Sequence, residues 1–109
     1  MTNENVLLGT DLKIKVELTC EGFSMDDNDF DLTVRWNGGT DTYTKREEEK
    51  DTHIIRSQEG DWYLCIPTEG MKGLVTLIAK LYVPDSDFQF QDNIREEIVK
   101  QDLFTIKRP

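Results

Sequence analysis

The chain has 109 residues and a net charge of −9, from 22 acidic against 13 basic side chains; this size predicts a single domain with one modest core. The charge repels a phosphate backbone and the basic residues do not cluster, so we expect no nucleic-acid partner. The longest apolar run, from Leu74 to Ala79, stops at Lys80 and is far shorter than a membrane-spanning helix, so we expect no membrane association.

The first ten residues read MTNENVLLGT and lack the basic region and the long apolar core of a signal peptide. We expect residues 1–10 to be a flexible arm and residues 11–109 to form one domain. We then expect the chain to be made in the cytoplasm and to stay there. A reducing compartment favours free, buried thiols at Cys20 and Cys65 over the disulfide that a secreted chain would form.

Apolar and polar residues alternate from Leu12 to Cys20 and again from Phe30 to Trp36. A period of two predicts strands with one buried and one solvated face. The sequence Asn37-Gly38-Gly39 is typical of a hairpin turn. The threonine-rich return from Thr40 to Lys45 is expected to be an edge strand.

The second half of the chain begins with a charged run, Lys45 to Asp51, which has no apolar period and is expected to be a solvated connection. Strands are predicted from Thr52 to Ser57 and from Trp62 to Pro67, with a turn at Glu59-Gly60 between them. The longest predicted strand runs from Leu74 to Val83.

Residues 94–107 fit two structures. The spacing of Ile94 and Ile98 allows a short helix, but Phe104, Thr105 and Ile106 favour the strand that a sandwich needs as a partner for the long strand. About seven strands and no long helix predict an all-β fold, an antiparallel immunoglobulin-like β-sandwich.

The stretch DWYLC adds an immunoglobulin-like feature to this prediction. Tyr63 lies two residues before Cys65, and Cys20 and Trp36 lie upstream, which is the order of the conserved residues in an immunoglobulin domain.

The long strand carries apolar residues on both faces. Val75, Leu77, Ala79, Leu81 and Val83 form one face, and Leu74, Ile78 and Tyr82 make the other face half apolar. Such a strand is covered by the loop at residues 84–93 or the C-terminal segment, or it packs against another subunit. Under the second alternative the interface residues are Tyr63, Leu74, Ile78 and Tyr82, and the partner is another protein or a second copy of this chain.

Catalytic and zinc-binding motifs are missing from the sequence. The one histidine, His53, has no nucleophile and base arranged around it, and one histidine with two distant cysteines makes no conventional zinc site. We therefore expect no enzyme and no cofactor.

The acidic stretch MDDNDFD leaves a calcium alternative open, with Asp27, Asp29 and Asp31 as ligands, because Ca²⁺ is bound by oxygen atoms. The favoured interpretation of these residues is turn formation ahead of a strand. The aromatic residues Trp36, Tyr43 and Trp62 could form a sugar-binding platform, but the two tryptophans fall on predicted core faces.

The order of these motifs resembles the small immunoglobulin-like modules of tailed-phage and prophage structural proteins, in particular the N-terminal domain of upper baseplate proteins. The similarity lies in the lead from Leu8 to Ile14, the strand DLTVRW at residues 31–36, the hairpin from Glu59 to Pro67, the long strand with the acidic loop that follows it, and the final strand.

This resemblance implies a non-enzymatic structural or assembly module of a virion, of the tail or baseplate type, that acts through protein–protein contacts. Two alternatives remain: a carbohydrate- or protein-binding module, with or without calcium, and a secreted immunoglobulin-like adhesion domain.

Overall fold

The computed structural model describes residues 4–107, which form eight strands and one short 3₁₀ helix at Gln89–Gln91. The strands are β1 (Glu4–Leu7), β2 (Asp11–Val16), β3 (Phe30–Trp36), β4 (Gly39–Lys45), β5 (Ile54–Arg56), β6 (Trp62–Pro67), β7 (Gly73–Pro84) and β8 (Ile94–Lys107).

The strands form two sheets that pack face to face as a sandwich. Five strands make one sheet in the order β1-β8-β7-β3-β4, and three make the other in the order β2-β6-β5. The all-β sandwich expected from the period-two pattern is therefore confirmed.

One hydrophobic core fills the space between the sheets. Phe30, Leu32 and Leu81 of the larger sheet and Leu64 of the smaller sheet are fully buried. The rings of Phe30 and Trp62 meet edge to face across the sandwich, with centroids 5.6 Å apart. The alternation assigned the inner faces of β3 and β7 correctly, because side chains of a strand point alternately to its two sides. Of the first alternating segment, only Val16 is fully buried, and its other apolar residues are partly buried.

Most predicted strands occur with small shifts at their ends. β3 and β6 have the predicted bounds, β4 lies at the edge of its sheet as expected, and residues 94–107 form a strand rather than a helix. The first alternating segment ends earlier than predicted, because β2 stops at Val16 and residues 17–20 leave the sheet.

The N-terminal segment differs from the expected flexible arm. Residues 4–7 form β1, which pairs in parallel with residues 104–107 of β8. This pairing is the one departure from antiparallel geometry in the described chain. Residues 1–3 lie outside the described residues. A four-residue strand is too short for the alternation pattern to reveal.

The turn between β3 and β4 depends on a close approach of backbone to an aromatic ring. Trp36 pairs with Gly39 across the hairpin, and a Cβ atom at Gly39 would lie 2.6 Å from two carbon atoms of the Trp36 ring. The glycine therefore allows the indole to lie flat against the return strand, where Trp36 packs against the core.

Candidate interaction surface

The face of the five-stranded sheet that points away from the core is the candidate surface, and we call it the outer face. Residues that are paired in an antiparallel ladder lie on the same side of a sheet, so the register defines the membership of this face. Across β7 and β8 the outer-face pairs are Leu74–Thr105, Thr76–Asp102, Ile78–Lys100, Lys80–Ile98 and Tyr82–Glu96.

Three of the four residues expected at an interface lie on the outer face. Leu74 is 42% exposed, and Ile78 and Tyr82 are half-buried. Tyr63 lies elsewhere, on the outward side of the three-stranded sheet, where the Lys13 ammonium lies 4.6 Å from its ring centroid. The four residues therefore do not form one surface, because β6 and β7 belong to different sheets.

Tyr82 is held by a polar network at one end of the outer face. Its hydroxyl donates a hydrogen bond to Asp31 Oδ2 at 2.6 Å, and Arg46 Nη1 donates to Asp31 Oδ1 at 2.8 Å. The Arg46 guanidinium also lies 5.1 Å from the Tyr82 ring centroid. Burial, followed by the hydrogen bond to Asp31, raises the pKa of Tyr82 to about 12, so the phenol stays a neutral donor at physiological pH.

Arg46 shows that the charged connection does more than solvate the chain. It lies in the segment expected to be a solvated link, yet its side chain covers Tyr82 and pairs with Asp31. The C-terminal segment, expected as a cover for the long strand, instead lies beside it as β8. Cover for Tyr82 therefore comes from the β4–β5 connection, and Leu74 at the other end stays exposed.

The middle of β8 is the most exposed apolar part of the sheet. Ile98 is 64% exposed on the outer face, and Val99, which points to the opposite side, is 46% exposed. β1 pairs only with residues 104–107, so no described strand lies beside the first part of β8.

The acidic loop before β3 is occupied by protein contacts. Asp26 accepts hydrogen bonds from Arg56 at 2.8 Å and from Trp62 Nε1 at 3.0 Å, and the Arg56 bond is the main cause that lowers the pKa of Asp26. Asp31 is bonded to Tyr82 and Arg46, as described above. Within residues 4–107 no three His, Cys, Asp or Glu side chains gather as metal ligands, so the calcium alternative, with Asp27, Asp29 and Asp31 as ligands, gains no support.

A buried lysine, Lys45, closes this loop, and no sequence pattern predicts its role. Lys45 is only 6% exposed, and its Nζ donates to the carbonyl oxygens of Asp26 at 3.2 Å and Asn28 at 2.8 Å. The ammonium also lies 5.8 Å from the Phe30 ring centroid and 5.9 Å from that of Trp62. Lys45 lies two residues after the buried Tyr43 on β4, so its side chain points to the same inner side of the sheet.

The cysteines and the histidine have separate surroundings. Cys20 packs against the core, whereas Cys65 lies on the outward side of β6, and both thiols are free and half-buried rather than fully buried. His53 Nδ1 lies 2.7 Å from Asp51 Oδ1, and its ring packs on Tyr43 with centroids 4.6 Å apart. These contacts stabilise the start of β5 and agree with a packing role for the histidine.

The aromatic side chains that could have formed a sugar platform are used in packing. Trp62 and Tyr43 are buried, and Trp36 packs against the core from its margin. A shallow open hollow of about 260 Å³ lies near Trp62, between Lys15 and Asp61 on one side and Met25 on the other. Trp62 lines this hollow but is only 7% exposed, so it offers little ring surface for a sugar to stack on.

In the described part of the chain, no helix has the length and apolar content that a bilayer crossing requires. Comparison with protein-family models, with curated proteins and with solved structures finds no match to this chain.

Proposed function

We propose that this chain is a non-enzymatic structural module that acts through protein–protein contacts, as a tail- or baseplate-type component of a phage or prophage virion. The observation that carries the contact role is the outer face, where exposed Leu74 and Ile98 lie on either side of half-buried Ile78. Exposed apolar residues on one sheet face, among polar residues such as Asp102 and Lys100, favour association with another protein.

The strand order supports an immunoglobulin-like module. In immunoglobulin domains one sheet carries the strands G, F and C, extended by C′ in variable domains, and the other carries B, E and D. The run β8-β7-β3-β4 and the sheet β2-β6-β5 follow the same order. The cysteine pattern departs from it, since Cys65 and Tyr63 lie on β6, which corresponds to E rather than F.

The contacts of the candidate chemical groups support a role without catalysis. His53 is bonded to Asp51 and packed on Tyr43, and Asp26 and Asp31 are paired with arginines. None of the observations favours the calcium-dependent, sugar-binding or adhesion alternatives over the contact role.

The virion assignment rests on the resemblance of the motifs, and it is tested with purified particles. Particles induced from the host of this gene are separated on a density gradient, and the chain is quantified against the major tail protein by mass spectrometry. A virion component is found in the particles at a fixed ratio, and its absence from them contradicts the assignment.

The contact role is tested by complementing a deletion of the gene with two matched variants. Leu74→Lys adds a charge to the outer face, and Ile55→Lys adds one to a residue of similar exposure, 37%, on β5 of the other sheet. Loss of incorporation for Leu74→Lys alone supports the outer face as the contact surface. Equal incorporation of both variants, each with an unchanged melting temperature, contradicts it.

A further inference from the structure

The first part of β8 is an open sheet edge. Residues 94–100 pair with β7 on one side, and on the other side no strand of the described residues lies next to them, because the described part of β1 pairs with residues 104–107. An unpaired edge presents free backbone N–H and C=O groups and is a template for strand addition. Here it also carries the exposed Ile98 and Val99.

Two backbone hydrogen bonds show which groups point to the open edge. Tyr82 N of β7 donates to Asp29 O, just before β3, so the even-numbered residues of β7 bond toward β3. Asp85 N, just after β7, donates to Asn93 O, just before β8, so the odd-numbered residues bond toward β8. Backbone groups alternate between the two sides of a strand, so odd-numbered residues of this part of β8 bond to β7. The N–H and C=O groups of Glu96, Ile98 and Lys100 therefore point away from β7, in the plane of the sheet, toward the open edge.

We propose that the occupant of this edge is β8 of a second copy of the chain, paired antiparallel about a two-fold axis with Ile98 opposite Ile98. In this register Glu96 of each copy lies opposite Lys100 of the other. The outward-pointing backbone groups of these three residues then exchange hydrogen bonds in pairs, as an antiparallel ladder requires. The inference rests on the proposed contact role and names its partner.

The charges of β8 select this register among its neighbours. A two-fold axis perpendicular to the sheet keeps the outer faces of both copies on one side, so outer-face residues must meet outer-face residues. Centring the pair on Val99 puts Glu96 opposite Asp102, and centring it on Glu97 or on Lys100 puts like charges opposite each other at the axis. Only the Ile98-centred register places opposite charges in both symmetric positions, which cross-strand pairs favour.

The geometry of the rest of the sheet accommodates the second copy. The paired segment, from Glu96 to Lys100 of each copy, ends four residues before Phe104, where the described part of β1 begins to pair with β8. On the outer face, Tyr82 lies opposite Glu96 and Ile78 opposite Lys100. The dimer would therefore join the two outer faces into one continuous ten-stranded sheet surface.

Charged residues on an edge strand ordinarily prevent pairing. In this strand they are arranged in self-complementary order about Ile98, so the same charges that repel other strands favour a second copy. Glu96 already lies 3.7 Å from Lys80 within its own chain, and pairing would give it a second lysine.

The test uses sedimentation of the purified chain up to about 1 mM, the concentration at which even a pairing free energy near −4 kcal/mol becomes visible. Glu96→Lys and Lys100→Glu are each expected to weaken the dimer about tenfold or more, because each places like charges opposite one another twice. An equimolar mixture of the two variants is expected to form a heterodimer at least as tight as the wild-type dimer, since both opposed pairs are then attractive. Glu48→Lys, the same charge change in the exposed β4–β5 connection, is the control and leaves dimerisation unchanged.

A wild-type chain that stays monomeric up to this concentration overturns the inference, as does a mixture of the two variants that associates no better than either alone. These results are separable from failure of the proposed function. A monomeric chain that is still incorporated into particles rejects the β8 pair alone, whereas a dimeric chain absent from particles rejects the virion role alone.

Discussion

Replacement of Lys45 by methionine tests how the acidic loop is joined to the core. The substitution keeps most of the side-chain length but removes the ammonium that donates to the carbonyl oxygens of Asp26 and Asn28. Hydrogen bonds from a charged donor are each worth about 1.5–3 kcal/mol. Part of this loss is offset because a buried charge no longer has to be desolvated. We therefore expect Lys45→Met to lower the free energy of unfolding by about 2–4 kcal/mol, or the melting temperature by about 10–20 °C.

The assay is urea denaturation at neutral pH, followed by tryptophan fluorescence, because Trp62 lies beside Lys45. Lys50→Met is the matched control, since Lys50 is exposed and donates a single hydrogen bond to Ile54 O. The control is expected to cost less than about 1 kcal/mol, because the Lys50 side chain is exposed and its charge stays solvated when the hydrogen bond is lost. If Lys45→Met is no more destabilising than Lys50→Met, the ammonium does not hold the loop and the argument fails.

Two further predictions concern the hairpin and the acidic loop. Gly39→Ala is expected to destabilise the fold by about 1–3 kcal/mol, because the new methyl group overlaps the Trp36 ring. Urea denaturation should show that the same substitution costs less in a Trp36→Leu background. An equal cost in both backgrounds contradicts the overlap. The hydrogen bond from Arg56 lowers the pKa of Asp26 in the folded chain below its usual 3.8. The stability that the Asp26 carboxylate contributes is therefore complete above pH 3.8, and it is lost as the pH falls through the lowered pKa of the folded chain. The urea midpoints of wild type and Asp26→Asn should therefore converge between about pH 5 and about pH 2, and a constant difference would show that ionisation of Asp26 is not the cause.

The sandwich could be predicted from the sequence because alternation is a direct record of which side of a strand is buried. β3 shows it over seven residues, and its inner face forms part of the core. β6 and β7 are apolar on both faces and could be predicted from apolar runs between turns. β1 could not be predicted, because it has four residues and is defined by its pairing with β8, a contact between the two ends of the chain.

The candidate surface was predictable only in part. The apolar outer side of β7 pointed to Leu74, Ile78 and Tyr82, but sheet membership, which separates Tyr63 from them, is a property of the topology. The roles of Lys45 and Arg46 were missed because charge usually marks exposure, and a lysine that bonds to backbone carbonyls leaves no residue pattern.

Amide hydrogen exchange along β8 tests contact through the open edge most directly. In the monomer the amides of Glu97 and Val99 are bonded to β7, whereas those of Glu96, Ile98 and Lys100 face solvent, so slow and fast exchange should alternate along the strand. Between about 10 µM and about 1 mM, a concentration range that covers weak association, we predict that the even-numbered amides become protected while the odd-numbered ones do not change. Fast exchange of the Ile98 amide at the highest concentration would contradict the account.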